Sequence, residues 1–224
     1  MITVDNTFVS DASVYGAGTT SYSVTNAGDL MIVVVYIQQT TGAGVCTGVK
    51  YNGVSFTQYY ADLVLQQLKV FYLKNPDIGT YTLEVTLDAG IASNLYRSGG
   101  ISLLGTHPSN YLGGTASSSF VGSNSTNEIT VTVQGLLGIV VDFIFLNKIG
   151  APDATVGSGQ TSFIDYFADD NSTVVFARAS YEAHTGSDTV MGWTSINTSS
   201  TTRQMHYAME ILPAPPFIPT ITMI

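Results

Sequence analysis

Charge is the scarcest commodity in this sequence. Asp, Glu, Lys and Arg make up 10% of its 224 residues, against about 25% in an average globular protein. The surface must therefore be dressed in Ser, Thr, Asn, Gln and Gly, which suits a protein packed against neighbours or one working outside the cell. Positive charge is scarcer still: seven Lys plus Arg stand against sixteen Asp plus Glu, for a net charge of −9. Lys50, Lys69, Lys74, Arg97, Lys148, Arg178 and Arg203 are scattered. A nucleic-acid groove needs such residues clustered, so no nucleic-acid partner is expected. Cysteine occurs once, at Cys46, which excludes an intrachain disulfide; the expectation is a buried thiol behaving as a small hydrophobe.

Long apolar runs are missing too. The densest, Leu30–Ile37 and Leu136–Leu146, fall far short of the ~20 residues a spanning helix needs. Both are rich in β-branched residues and read as core strands, so no membrane partner is expected. Met1 leads directly into a strand-like ITVDNTF, with no basic segment followed by an apolar one. No secretory signal is visible, and the expectation is a soluble chain made without export. Helical periodicity is essentially absent.

What is present is a succession of short strands between Gly, Asn and Ser turns, which indicates an all-β sandwich or barrel. The clearest stretch is Gln67–Asp88. Tyr81, Leu83, Val85 and Leu87 alternate with Thr80, Thr82, Glu84 and Thr86, the period of a strand with one apolar face. Before it lies Asn75-Pro76-Asp77-Ile78-Gly79, a turn by its proline and glycine, so a hairpin is expected here. A second hairpin is expected around Asn52-Gly53, joining Val45–Asn52 to Val54–Tyr60. Ser21–Val24 reads as an edge strand. Leu30–Ile37, apolar at every position, should be covered on both faces. Thr106–Ser125 reads as a long Ser/Thr/Gly connection dividing the chain. Beyond it come strands at Glu128–Val133, Leu136–Leu146, Ser162–Phe167, Thr173–Glu182, Val190–Ser195 and Arg203–Leu212. The two halves are loosely alike in pattern, which would fit two Greek-key halves of one jelly roll. The expected organisation is one antiparallel jelly-roll-like β-sandwich over residues 1–212, followed by an extended arm, 213–224. That arm, PAPPFIPTITMI, holds four prolines and no charge. Proline favours an extended path, and a free apolar tail in water is an aggregation hazard. Pro215, Pro216, Phe217, Ile218, Ile221, Met223 and Ile224 are therefore the candidate partner-binding residues.

The segments VKYNGVSFT, LKVFYLKNPDIGTYTLEVTL, LGIVVDFIFL, VMGWTS and YAMEILPA, in this order, resemble a jelly-roll-like β-sandwich module of bacteriophage structural proteins and bacterial surface proteins. The resemblance covers about residues 29 to 214 and excludes the arm. It implies a virion protein that assembles with copies of itself, as a trimer, and with other virion proteins. It implies no catalytic motif and no cofactor.

No constellation of residues announces chemistry. His107, His184 and His206 are far apart and lack any zinc spacing. Asp165, Asp169, Asp170 and Asn171 could suggest a calcium loop but lack the spaced D-x-D-x-D-G pattern, so a solvated turn is expected and no metal. A glycosidase would need two facing carboxylates; Glu84, Asp142 and Glu182 lie in strands, and nothing singles out a pair. Asp142, inside an apolar run, is expected to be a hydrogen-bonded structural carboxylate. Tyr59, Tyr60, Tyr96 and Tyr111 border loops, and Tyr59, Tyr60 and Tyr111 are the candidates for stacking on a host glycan. The glycosylation sequons at Asn124, Asn171 and Asn197 read as coincidental. The expected function is that of a non-enzymatic virion structural protein (capsid decoration, minor capsid or tail-associated subunit); the alternative is a carbohydrate-binding sandwich.

Overall fold

Both dense apolar strands sit at the centre of a sheet and are covered on both sides. In the computed structural model, which describes residues 1–10, 14–15, 18–38, 45–62, 66–88, 95–122, 126–148, 154–169, 174–194 and 202–216, every described element is a strand. The N-terminal half contributes β1 (Thr3–Val9), β2 (Val14–Tyr15), β3 (Gly18–Asn26), β4 (Leu30–Gln38), β5 (Cys46–Tyr51), β6 (Val54–Ser55), β7 (Thr57–Asp62), β8 (Gln66–Lys74), β9 (Gly79–Leu87) and β10 (Leu95–Leu104). The C-terminal half contributes β11 (Leu112–Gly122), β12 (Thr126–Val131), β13 (Gly138–Lys148), β14 (Thr155–Val156), β15 (Thr161–Asp169), β16 (Val174–His184), β17 (Thr189–Thr194) and β18 (Thr202–Ile211).

All pairings are antiparallel, in four sheets. The N-terminal half forms an inner sheet, β1-β10-β4-β8-β7, with β2 beside β10, and an outer sheet, β3-β9-β5-β6. The C-terminal half forms an inner sheet, β11-β18-β13-β16-β15, and an outer sheet, β12-β17-β14. Alternation along the two central strands builds the stack. Leu30, Ile32, Val34 and Tyr36 of β4 meet Ile139, Val141, Phe143 and Phe145 of β13 in one core between the inner sheets. The intervening Met31, Val33, Val35 and Ile37 pack on Val49, Leu83 and Val85 of the outer N-terminal sheet. On the far side, Ile144 and Leu146 meet Trp193, and Val140 meets Ile129 and Met191. The result is an all-β sandwich of four layers, in which Leu30–Ile37 of β4 and Ile139–Leu146 of β13 are buried because each strand has a sheet on either side.

The strand orders of the two halves are the same. Replacing β1, β10, β4, β8 and β7 by β11, β18, β13, β16 and β15 turns one inner sheet into the other, and β3-β9-β5 maps likewise onto β12-β17-β14. The registers agree as well. Leu30 pairs with Leu103 as Ile139 pairs with Ile211. The bulge of β7 between Gln58 and Tyr60 has its counterpart in β15 between Ser162 and Ile164. The bulge of β1 between Val4 and Asn6 has its counterpart in β11 between Leu112 and Thr115. Tyr36 and Phe145 occupy equivalent positions in this register and stack on each other, centroids 5.5 Å apart, where the two halves meet. The likeness noted between the halves is thus a duplication of strand order over eight strands of each, β2 and β6 having no counterpart among the described strands, with each half building its own pair of sheets.

Three local expectations are corrected. The Gln67–Asp88 stretch is not a hairpin: β8 pairs with β4 and β7 in the inner sheet, while β9 pairs with β3 and β5 in the outer one. The Asn75–Gly79 turn, with positive φ at Asn75 (48°) and Gly79 (137°), carries the chain between layers. The Asn52-Gly53 turn does form, with Tyr51 opposite Val54 and φ of 47° and 77°, but its pairing ends at Ser55 and β7 crosses to the inner sheet. Finally, β11 occupies the stretch expected to be a connection. Its residues are small, and at Gly114 the neighbouring backbone requires it: a Cβ there would run into the Thr132 carbonyl. Such a strand carries no hydrophobic alternation to detect. Ser21–Val24 lies within β3, at the edge of its sheet as expected.

Candidate functional site

Three places concentrate functional side chains, and the first is the seam between β7 and β18. The bulge in β7 brings Tyr59 and Tyr60 to the opposite half. Tyr60 stacks face to face on Tyr207, centroids 4.0 Å apart and planes 14° apart. Tyr59 meets Tyr72 and Tyr207 edge-on at 5.9 and 6.4 Å. Tyr72 meets Tyr111 at 5.4 Å, and Lys74 Nζ lies 5.4 Å from the Tyr111 ring centroid. Tyr59, Tyr60 and Tyr111 are thus brought into one cluster, linked through Tyr72 and Tyr207. Burial pushes the Tyr207 and Tyr111 hydroxyls well above their ordinary range, and for Tyr111 the hydrogen bond with Tyr72 adds to this. Tyr59 is the most accessible of the three, at 38% exposure. Tyr96 belongs elsewhere: it is buried in the N-terminal core, its hydroxyl bonded to Thr20.

The equivalent seam on the other side is built differently. The counterpart of Tyr60 is Ile164 and that of Tyr207 is Gly99, and a Cβ on Gly99 would lie 2.8 Å from Ile164 Cδ1. A groove of about 480 Å³ opens there between β1 and β15, lined by Asp5, Asn6, Thr161, Phe163 and Tyr181.

The second place is a buried polar centre between the C-terminal sheets. Asp142, fully buried, accepts hydrogen bonds from Ser180 N (2.9 Å), Ser180 Oγ, Trp193 Nε1 (2.7 Å) and His206 Nε2 (2.7 Å). His206 Nδ1 lies 3.2 Å from Asn127 Oδ1, and Asn127 Nδ2 donates to Gln204 Oε1 at 3.0 Å. Gln160 Nε2 donates to Ser180 Oγ. The position of Asp142 in the other half is held by Val33, an ordinary core residue. Buried carboxylates persist only when their acceptors are filled, and here they are. The Ser180 hydroxyl spends its proton on Asp142 and sits at zero exposure, so the centre is tied internally rather than aimed at a substrate. The expectation of a structural carboxylate at Asp142 fits this geometry.

The third place is the end of β18. Glu210, fully buried, accepts from Gly114 N (2.8 Å), Gln134 N (2.7 Å) and Gly135 N (2.9 Å), and His184 Nε2 lies 3.2 Å away. His184 Nδ1 accepts from Gly186 N at 3.3 Å. Burial lowers the His184 pKa below its ordinary value, against the opposing pull of Glu210. The carboxylate fastens the turn before β13, whose tip exposes Leu136 and Leu137. Beside it the chain leaves the body: Pro213 bridges to Thr106, Ala214 N donates to Gly105 O at 2.8 Å, and Pro215 and Pro216 are exposed. Phe217, Ile218, Ile221, Met223 and Ile224 lie outside the described residues.

The remaining candidates are dispersed. Asp165 pairs with Arg178 at 2.9 Å; Asp170 and Asn171 lie outside the described residues, as do the three sequon asparagines. Among the described residues no three His, Cys, Asp or Glu side chains are grouped to hold a metal. Glu84 lies on the outer N-terminal sheet, across from Ser21 and Lys50, in a different layer from Asp142 and Glu182. Burial raises the Glu182 carboxyl. His107 Nδ1 accepts from Ser109 N and Asn110 N in the link between the halves. Cys46 is buried, its pKa pushed up to about 11 by desolvation. Sequence reasoning missed Ser180, Trp193 and His206 as partners of Asp142, and Tyr72 and Tyr207 as partners of Tyr59 and Tyr60. Compared with protein-family models, curated proteins and solved structures, the chain matches none.

Proposed function

We propose that this chain is a non-enzymatic structural subunit of a phage-like particle: a capsid decoration, minor capsid or tail-associated protein that assembles with copies of itself. The observation that carries this reading is the root of the arm. Thr106 and Gly105 clamp Pro213 and Ala214 to the body, and the next residues, Pro215 and Pro216, stand exposed. A stiff apolar segment launched from a fixed point is suited to lie on, or add to, a neighbouring sheet. The four-layer body supports the reading as a rigid block whose buried polar groups are occupied with one another, and the low charge supports a surface designed to be packed. A chain ending at Ala214 is expected to keep the far-UV spectrum and melting temperature of the full chain but to sediment as a smaller species. Unchanged sedimentation removes the arm from the explanation. Detection of the chain at fixed stoichiometry in purified particles tests the virion assignment.

A second reading, sugar binding, draws on the convergence of Tyr59, Tyr60 and Tyr111. Selective binding on a glycan array, lost in Tyr59→Ala, would favour it.

A further inference from the structure

The arm starts at the lip of an apolar pocket. About 200 Å³ is enclosed by Met1, Ile2, Leu137, Ile139, Ala183 and Pro213. Ile139 belongs to the core between the inner sheets and Ile2 packs against it, so the pocket is an opening onto that core. Its surroundings are unusually apolar for water: Leu136 is 86% and Leu137 53% exposed, side by side at a turn tip, with Met1 at 94%. Exposed apolar surface grouped around a pocket marks an interaction site.

Pro213 is at once a wall of this pocket and the first residue of the arm. Residues 217–224, FIPTITMI, carry no charge and are led by an aromatic and a branched aliphatic side chain. The Pro213–Pro216 stem moves away from its anchor at about 3.1 Å per residue if extended. A return into the pocket beside its own root would require a reversal immediately after two prolines. The pocket of another copy, by contrast, can be reached without bending the stem.

We propose that the Met1–Leu137–Pro213 pocket of each copy receives Phe217 or Ile218 from the arm of a second copy. The inference rests on the reading of the arm as an assembly device and adds its receptor. Since donor and acceptor lie next to each other, two copies can exchange arms as a reciprocal pair, or several can form a ring where the rotation between them closes.

The test uses the full chain carrying Thr185→Cys at the pocket wall and Phe217→Cys on the arm, with Cys46 buried and out of reach. Mild oxidation is expected to give covalent dimers or a closed ring on a non-reducing gel. Leu137→Asp, at an exposed position, is expected to shift sedimentation to the monomer while leaving the melting temperature within a few degrees of the parent. An exclusively intrachain cross-link, or no cross-link together with unaffected association in Leu137→Asp, overturns the pocket. An unmodified chain that is monomeric at ~100 µM overturns it as well. If the chain ending at Ala214 still associates, the arm reading itself fails. If that truncation is monomeric while both pocket variants behave like the parent, the arm acts elsewhere and only the pocket is wrong.

Discussion

Replacing Asp142 by valine, the residue type found at the equivalent position 33, tests what the polar centre contributes. The exchange nearly conserves volume, so it opens little cavity. It removes the acceptor of four hydrogen bonds: those from Ser180 N, Ser180 Oγ, Trp193 Nε1 and His206 Nε2. The Ser180 hydroxyl keeps the bond it accepts from Gln160 Nε2, but an amide nitrogen cannot take its proton. Four donors are left buried without a partner, each costing about 1–3 kcal/mol. The gain from no longer desolvating a carboxylate offsets part of this, and one-sided removal of a buried pair typically costs about 3–5 kcal/mol. The expected loss is therefore about 4 kcal/mol, a large share of the ~5–15 kcal/mol that holds a domain folded. Urea denaturation followed by the fluorescence of Trp193, the sole tryptophan, reads it directly. In the double variant Asp142→Val/His206→Leu, one orphaned donor is removed with its partner, so the combined loss should fall short of the sum of the single losses by at least about 1 kcal/mol. A single-variant loss below about 1 kcal/mol, or strict additivity, would refute the argument.

Gly99→Ala should destabilise by about 1–3 kcal/mol through overpacking, because the new methyl would meet both Ile164 Cδ1 and the Phe8 carbonyl at 2.8 Å; a neutral result in a thermal melt would show the seam to be loose. The Cys46 thiol, pushed up to about 11 by burial, should react with Ellman's reagent at pH 8 only when the chain is unfolded, and rapid labelling of the native protein contradicts this. Because burial holds the His184 pKa below 6.5, the unfolded chain takes up that proton first. Stability should be full above pH 6.5 and fall as the pH drops through the window between 6.5 and the lower folded value. His184→Gln should flatten that decline in denaturation curves taken at successive pH values, whereas parallel profiles would count against it.

How much of this was legible depends on which residues carry the signal. The burial of Leu30–Ile37 on both faces followed directly from eight apolar positions in a row. The hairpin error at Gln67–Asp88 had its warning in the same text: Leu68, Val70 and Phe71 include neighbours that point to opposite faces, whereas β9 alternates cleanly, and strands so different do not share one sheet environment. For β11 the reason is different. Gly114 meets the Thr132 carbonyl and Gly113 the Glu210 side chain, while Ser117 and Ser119 are exposed, and smallness has no period. Asp142 stood out as the one charge in an apolar run, but its partners Trp193 and His206 lie 51 and 64 residues away, a distance only the sheet register bridges. The duplication escaped proof because equivalent positions share burial rather than identity: Val33 matches Asp142, and Gly99 matches Tyr207.

The repeated strand order also governs how the surface can change. In an assembly of two identical chains, a substitution at the shared contact is felt twice and must suit both sides. Here the two sides are written separately in one chain. The stack of Tyr60 on Tyr207 and the close fit of Ile164 over Gly99 are two different solutions to one geometric problem, as only a joined pair permits. The symmetric contact is already satisfied within the molecule, and the surfaces left open on the two halves differ. A body of this build has a defined front and back.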